Sequence, residues 1–209
     1  MWLTVEGDLR FLSHRDCARL VERAAIRARL PLRYTQGFNP HPILSLICPR
    51  PVGVASRDDL AVAALAAPCE PAGLLDRMNR QVPEGMSFLR AEPLAGKRAP
   101  QVLRMRCEMP LAPGRDKPVA ARLEAFRGAD AWPIERQKRR RRRGQPVRSR
   151  RLDLQRLVAE IDLAPGRLAW TLVPDGEIWA RPAEVLEAFG LDGREDLATV
   201  TRRRIEYDF

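Results

Sequence analysis

The sequence predicts an α+β protein made of two tandem ferredoxin-like units, each with the order βαββαβ and an antiparallel sheet. Three observations predict this class. The chain has 209 residues, 45% of them hydrophobic, which is enough for two small domains with buried cores. Apolar residues recur with the periods of short strands and amphipathic helices. The same order of elements appears twice, on the two sides of a linker at residues 96–100, so we predict domains at residues 1–96 and 97–209.

The first unit contains two predicted helices. Ser13 stands as an N-cap with Asp16 three residues further on, and apolar residues follow at helical spacing until Pro31 ends the helix. Pro71 suits the first turn of the second helix, which Pro83 closes. Short apolar runs bounded by turn residues predict the strands of this unit at residues 2–6, 9–12, 43–48, 59–65 and 87–94.

The second unit repeats this order. Its helices are predicted at residues 119–126, ended by Gly128, and at residues 182–189, followed by Gly190. Residues 152–163 are an additional piece, interpreted as a short helix and then a strand. The same apolar pattern predicts the other strands of this unit at residues 101–111, 132–137, 168–173 and 199–207.

Positive charge is concentrated in one segment of the second unit. The chain has 37 basic and 27 acidic residues, and nine of the basic ones lie between residues 138 and 151, where no acid occurs. Without these nine, the balance is 28 against 27. This excludes a uniformly basic, histone-like protein and indicates a localised anionic partner. We call these nine residues the basic cassette: Lys138, Arg139, Arg140, Arg141, Arg142, Arg143, Arg148, Arg150 and Arg151.

The basic cassette is predicted to lie in a hairpin loop at residues 138–151, because Gly144 and Pro146 would break a helix there. Guanidinium groups bind phosphate bidentately and stack on bases, and RNA is often held by segments that become ordered on binding. RNA is therefore the predicted partner. The alternatives are an acidic protein or membrane surface, and a solvated loop with no partner.

A second segment, residues 36–42, combines two prolines, a glycine, two amides and a histidine. Gly37 permits a positive φ, while Pro40 and Pro42 hold the residues before them in extended geometry. Such a loop can hold polar side chains rigidly at a surface. The simpler interpretation is that Gln36 and Asn39 satisfy backbone groups of the loop.

Catalysis has few candidate residues. The sequence contains no GxSxG, HExxH or P-loop motif. A nuclease would have to use His14 and His41 as general acid and base, with Tyr34 near His41 in sequence. A histidine in the first turn of a helix can also bind phosphate, and a lone histidine is more often a packed or exposed ring.

The cysteines at positions 17, 48, 69 and 107 have no spacing typical of a metal or cluster site, so we predict no metal and no cofactor. They indicate a reducing compartment, in which they serve as small buried hydrophobic residues. The sequence has no apolar stretch near the ~20 residues of a membrane span and no leader at its start. We therefore expect a cytoplasmic protein with no membrane partner.

Three stretches resemble a bacterial family known as the radical SAM-linked proteins: LRFLSHRD at residues 9–16, LRYTQGFNPHP at residues 32–42 and PVGV at residues 51–54. Members of the family resemble LRFxSHLD, LPxxYSQGFNPHP and LPVG. This chain departs from the pattern at Arg15, where leucine is usual, and at Thr35, where serine is usual. The motif residues are Ser13, His14, Asp16, Gln36, Gly37, Phe38, Asn39, Pro40, His41, Pro42 and Gly53.

The resemblance implies a domain fused to a radical SAM protein or encoded beside one. This chain lacks the CxxxCxxC cluster motif, so it would be an accessory protein. We expect a non-enzymatic RNA-binding module that presents ribosomal RNA or tRNA to a radical SAM partner, with no small-molecule substrate. The alternatives are a metal-independent endoribonuclease, similar at fold level to tandem ferredoxin-like CRISPR repeat-processing enzymes, and a protein-interaction scaffold.

Overall fold

The computed structural model describes residues 1–94, 98–137 and 149–209. Within these ranges the protein is mixed α/β, with four α-helices and a mostly antiparallel sheet, which confirms the predicted mixture of helices and antiparallel strands. The helices are α1 His14–Arg27, α2 Pro71–Asn79, α3 Asp116–Arg127 and α4 Pro182–Ala188. The strands are β1 Trp2–Val5, β2 Leu44–Leu46, β3 Ala55–Ala63, β4 Met86–Arg90, β5 Gln101–Pro110, β6 Pro133–Gln137, β7 Ser149–Asp153, β8 Val158–Ala164, β9 Arg167–Leu172 and β10 Thr201–Asp208.

The chain divides into two compact units. Unit 1 comprises Met1–Met105 and Ala198–Phe209, and unit 2 comprises Arg106–Leu197. The predicted boundary between residues 96 and 97 falls within residues 95–97, which lie outside the described residues, so it stays a prediction. No helix in the described ranges is long and apolar enough to cross a membrane.

In unit 1, β1 lies between β3 and β4 and is antiparallel to both. Strand β3 also pairs antiparallel with β2 near its end and parallel with β10 near its start. The helices α1 and α2 supply the apolar residues that pack on this sheet. Residues buried in the core include Leu3, Val5, Val21, Ala24, Met78 and Phe88.

Helix α1 follows its predicted pattern. Ser13 caps it, and Cys17 and Val21 lie on its buried face. The helix ends at Arg27, before Pro31, because the chain turns at Arg29, which has a φ of 51°. An arginine in this left-handed region is uncommon, and the turn comes two residues before Pro31.

The strand predicted at residues 9–12 is wrong, because Gly7–Phe11 form a 3-10 helix. Gly7 has a φ of 56° and turns the chain, and the Leu12 N–H donates to the Leu9 carbonyl at 3.1 Å. None of the residues in this turn is buried, so no sheet neighbour holds them extended. The other strand predictions are confirmed with shifted ends, the largest shifts being the start of β3 at Ala55 and the end of β4 at Arg90.

In unit 2, β8 and β9 form an antiparallel pair, with β5 on the other side of β9. Strands β6 and β7 form a separate antiparallel pair, in which Gln137 faces Ser149. The additional piece is confirmed as a 3-10 helix at Leu154–Arg156 followed by β8. Phe126 of α3 packs against Phe189 at a ring-centroid distance of 5.5 Å. Of the hairpin loop predicted at residues 138–151, residues 138–148 lie outside the described residues. The prediction is wrong for residues 149–151, which begin strand β7 because they pair with β6.

Candidate functional site

The structure brings two of the three motif stretches together in unit 1. The Gly53 N–H donates to the Arg10 carbonyl at 2.9 Å, and the Arg50 guanidinium donates to the same carbonyl at 2.7 Å. Gly53 has a φ of 95°, which L side chains rarely adopt. The glycine therefore allows the turn that brings its N–H to the Arg10 carbonyl of the LRFLSHRD stretch.

A buried charge cluster, formed by Arg50, Asp59 and Arg202, lies in the same unit. Asp59 Oδ2 is 3.8 Å from Arg50 Nε, and Asp59 Oδ1 is 3.5 Å from Arg202 Nη1. All three residues are buried. Ser56 Oγ donates to Asp59 Oδ1 at 2.6 Å. Two guanidinium groups thus share one carboxylate, which leaves an excess of positive charge inside the unit.

Backbone carbonyls compensate part of that excess. Arg202 donates to the Pro49 carbonyl at 2.5 Å and to the Cys48 carbonyl at 3.3 Å. Arg50 donates to the carbonyls of Arg10 and Val54. Sequence reasoning missed this cluster. The one local signal is that Arg50 is a single charged residue in the otherwise apolar stretch 46–54.

The N-terminus of α1 carries the first motif residues. Ser13 Oγ accepts the Asp16 N–H at 3.2 Å and donates to Asp16 Oδ2 at 2.6 Å, which confirms the predicted cap. His14, the first residue of α1, is half-buried. Burial lowers its pKa, the charges of Arg202 and Arg50 act in the same direction, and Asp59 opposes them. The shift favours the neutral imidazole, so His14 adds less positive charge to this surface than an ordinary histidine does.

The second motif segment forms a closed loop, which we call the motif loop (residues 35–41). Thr35 closes it on both sides, since its N–H donates to the His41 carbonyl at 2.9 Å and its Oγ1 accepts the His41 N–H at 3.0 Å. An isolated bridge between Tyr34 and Pro42 lies directly below. Gly37 has a φ of 130°, a conformation that favours glycine.

The side chains of Gln36, Asn39 and His41 do not hold the motif loop together. Gln36, Asn39 and His41 are exposed, and their side chains make no hydrogen bond to any residue in the described ranges. The simpler interpretation, in which Gln36 and Asn39 satisfy loop backbone groups, is therefore wrong. Thr35 does so instead, through its hydroxyl and its backbone N–H. Phe38 is fully exposed at the loop tip.

The three candidate catalytic residues do not form a hydrogen-bonded group. Tyr34 and His41 lie on opposite sides of one loop, and both are exposed. His14 lies on α1, and among the described residues no hydrogen bond joins it to either of them. In the same ranges, no three His, Cys, Asp or Glu side chains come together as a group that could hold a metal ion.

Two residues of the basic cassette lie in the described ranges. Arg150 and Arg151 are exposed on β7, and neither guanidinium group forms a hydrogen bond or ion pair with another described residue. Arg136 on β6 lies opposite Arg150. Unlike Arg150, it is paired with an acid, since its guanidinium donates two hydrogen bonds of 2.6 Å to the Glu184 carboxylate. The remaining residues of the cassette, from Lys138 to Arg148, lie outside the described residues.

These features define a class: a mixed α/β protein with a mostly antiparallel sheet, a closed exposed loop and exposed arginines beside a basic segment. The chain belongs to the family described as "Uncharacterized protein conserved in bacteria (DUF2344)", whose model matches residues 1–178. The match includes the motif loop and the basic cassette. No curated protein and no solved structure matches the chain.

Proposed function

We propose that this protein is a non-enzymatic RNA-binding accessory module, which holds RNA through the basic cassette. The observation that carries the proposal is that Arg150 and Arg151, which are exposed and whose guanidinium groups bond to no described residue, belong to a segment with nine basic residues and no acid. A guanidinium that stabilises the fold is paired, as Arg136 is by Glu184. The two cassette arginines have no such structural role, and the fold does not account for their charge.

The anionic partner that fits this charge best is RNA. Each guanidinium offers a planar set of donors that matches phosphate and can also stack on a base. The cassette adds nine positive charges to a chain that is otherwise near neutral, so the attraction is local to one segment. We further propose that the RNA is ribosomal RNA or tRNA and that a radical SAM protein is the partner to which it is presented, as the resemblance of residues 9–54 implies.

The proposed fold is a pair of ferredoxin-like units, which present loops at the ends of antiparallel sheets. The strand order β4–β1–β3 in unit 1, with β2 on the outer side of β3, supports this for the first unit. For the second unit the support is the order β5, α3, β6 at its start and α4 near its end, while β10 belongs to unit 1.

The test is the salt dependence of RNA binding, measured by fluorescence anisotropy with a labelled RNA transcript. Each phosphate that the protein neutralises steepens the slope of log K against log salt by about 0.7 for single strands. Replacing residues 139–143 with serine should flatten the slope strongly. The double variant Arg150→Gln and Arg151→Gln should flatten it by up to about 1.4, because it removes at most two phosphate contacts.

The matched control removes two exposed arginines from unit 1, with Arg23→Gln and Arg80→Gln, and should leave the slope as in the wild type. A slope that is the same in all variants would contradict the role given to the basic cassette. Co-purification with a protein partner that survives nuclease treatment, with no RNA binding by the wild type, would support the scaffold alternative instead.

A further inference from the structure

The motif loop presents an aromatic ring that the core does not use. Phe38 is fully exposed, whereas phenylalanine is among the residues most often buried. One exposed apolar residue needs no explanation by itself. Its surroundings decide what the ring can do, and around Phe38 they combine a fixed backbone, unpaired polar groups and positive charge.

The backbone below Phe38 is fixed before any ligand arrives. Thr35 and His41 exchange two hydrogen bonds across the base of the loop, of 2.9 and 3.0 Å. Pro40 has a fixed φ, and Gly37 turns the chain with a φ of 130°. A side chain on a preorganised loop loses less conformational entropy when it binds, so the ring is suited to contact a ligand.

On each side of this ring in the sequence is an amide side chain that can form hydrogen bonds with the edge of a base. Gln36 and Asn39 each carry an amide with donors and an acceptor, and neither side chain bonds to any part of the chain that the structure describes. Unpaired RNA bases are recognised by stacking on aromatic rings and by hydrogen bonds to their edges. The loop tip offers both kinds of group within four residues.

The charge around the loop favours a nucleic acid over a protein. Residues 28–49 contain two arginines, Arg29 and Arg33, and no aspartate or glutamate, and Arg33 is exposed beside the base of the loop. A positive environment attracts an anionic ligand. A stable protein interface buries about 1,600 Å² in total, and the motif loop by itself offers far less surface than that.

We propose that the motif loop binds an unpaired nucleobase of single-stranded RNA, with the base stacked on Phe38 and its edge bonded by Gln36 or Asn39. This inference rests on the proposed RNA-binding function and deepens it. The basic cassette contacts phosphates of any RNA, whereas the motif loop selects RNA with an accessible base. Paired bases are excluded, because both of their faces are already stacked within a helix.

The experiment compares a single-stranded RNA that contains 2-aminopurine with a fully paired duplex of the same sequence. Phe38→Ala should weaken binding of the single strand by roughly 5- to 150-fold, the effect of losing one stacked base. It should also abolish the fluorescence change of 2-aminopurine at saturation. Phe38→Trp should restore both, and duplex binding should be the same in all variants.

Leu89→Ala is the matched control, since Leu89 is an exposed apolar residue on β4 of the same unit. It should bind both RNAs as the wild type does. If Phe38→Ala binds the single strand like the wild type while the cassette variants lose affinity, the stacking role is overturned and the proposed function stands. No RNA binding by the wild type overturns both. Loss of a nuclease-resistant protein partner in Phe38→Ala, with RNA binding intact, overturns the base assignment in favour of a protein contact.

Discussion

Replacing Asp59 with asparagine should destabilise unit 1 strongly, because it removes the carboxylate of the buried charge cluster. The side chains of Arg50 and Arg202 are only 2% and 3% exposed, so water cannot replace the lost partner. Asparagine has nearly the shape of aspartate and leaves no cavity. The effect therefore measures charge compensation inside the unit.

The expected magnitude follows from the two distances. At 3.8 and 3.5 Å, each attraction to Asp59 is about 4–5 kcal/mol for an effective dielectric constant near 20. The hydrogen bonds from both arginines to backbone carbonyls remain, and asparagine can still accept a hydrogen bond from the Ser56 hydroxyl. Leaving a buried charge without its partner typically costs about 3–5 kcal/mol, and we expect a loss of unfolding free energy in that range.

The assay is urea denaturation followed by peptide-resolved hydrogen exchange, which reports unit 1 separately from unit 2. Glu6→Gln is the control, since Glu6 binds Arg57 in an exposed ion pair and its loss should cost less than about 1 kcal/mol. The double variant Asp59→Asn with Arg202→Met should lose less stability than the sum of the two single losses, because it removes both members of one ion pair instead of leaving a buried charge without its partner. A loss below about 1 kcal/mol in Asp59→Asn, or strictly additive effects in the double variant, would refute this account of the cluster.

Three further predictions concern the motif loop and His14. Thr35→Ala should lower stability by about 0.5–1 kcal/mol and speed hydrogen exchange at the His41 amide, whereas Thr35→Ser keeps the hydroxyl and should match the wild type. The pKa of His14 in the folded chain lies below its ordinary value of 6.5, so the unfolded chain binds more protons between the two values. Stability should therefore fall as the pH drops below about 6.5. Urea unfolding at about pH 8 and at about pH 5.5 measures this fall, and the stability of His14→Gln should depend less on pH. Total RNA should stay intact in EDTA with the wild type, His14→Ala and His41→Ala, as judged on a gel, and cleavage that one of these variants loses would instead identify a nuclease.

The sequence predicted most elements because their signals are local. The Ser13 cap with Asp16, the first-turn prolines of α2 and α4, and the alternation in β5 each depend on residues within one element. The wrong strand prediction at residues 9–12 also comes from relying on a local signal. An apolar run of four residues is compatible with a strand or a tight helical turn, and the positive φ of Gly7 decides between them.

The candidate site was only half predictable for a related reason. Gly37, Pro40 and Pro42 predict a rigid loop from the sequence alone, because the backbone preferences of glycine and proline do not depend on the fold. Which side chain closes the loop depends on the distance between its two sides. In the structure the two sides are close enough for the His41 N–H to donate to Thr35 Oγ1 at 3.0 Å. The amides of Gln36 and Asn39 form no hydrogen bond with the described residues.

The buried charge cluster shows why long-range pairing has to be known before such a site can be found. Strand β10 pairs in parallel with β3, with Thr201 opposite Ala55, and this places Arg202 beside Asp59. Arg202 also bonds to the carbonyl of Pro49, 153 positions away in the chain. These contacts make the C-terminal strand a structural part of unit 1, although it follows the last residue of the family match. A change at Arg202 should therefore disturb the environment of His14 and the packing of the PVGV stretch, which lie in the first quarter of the chain.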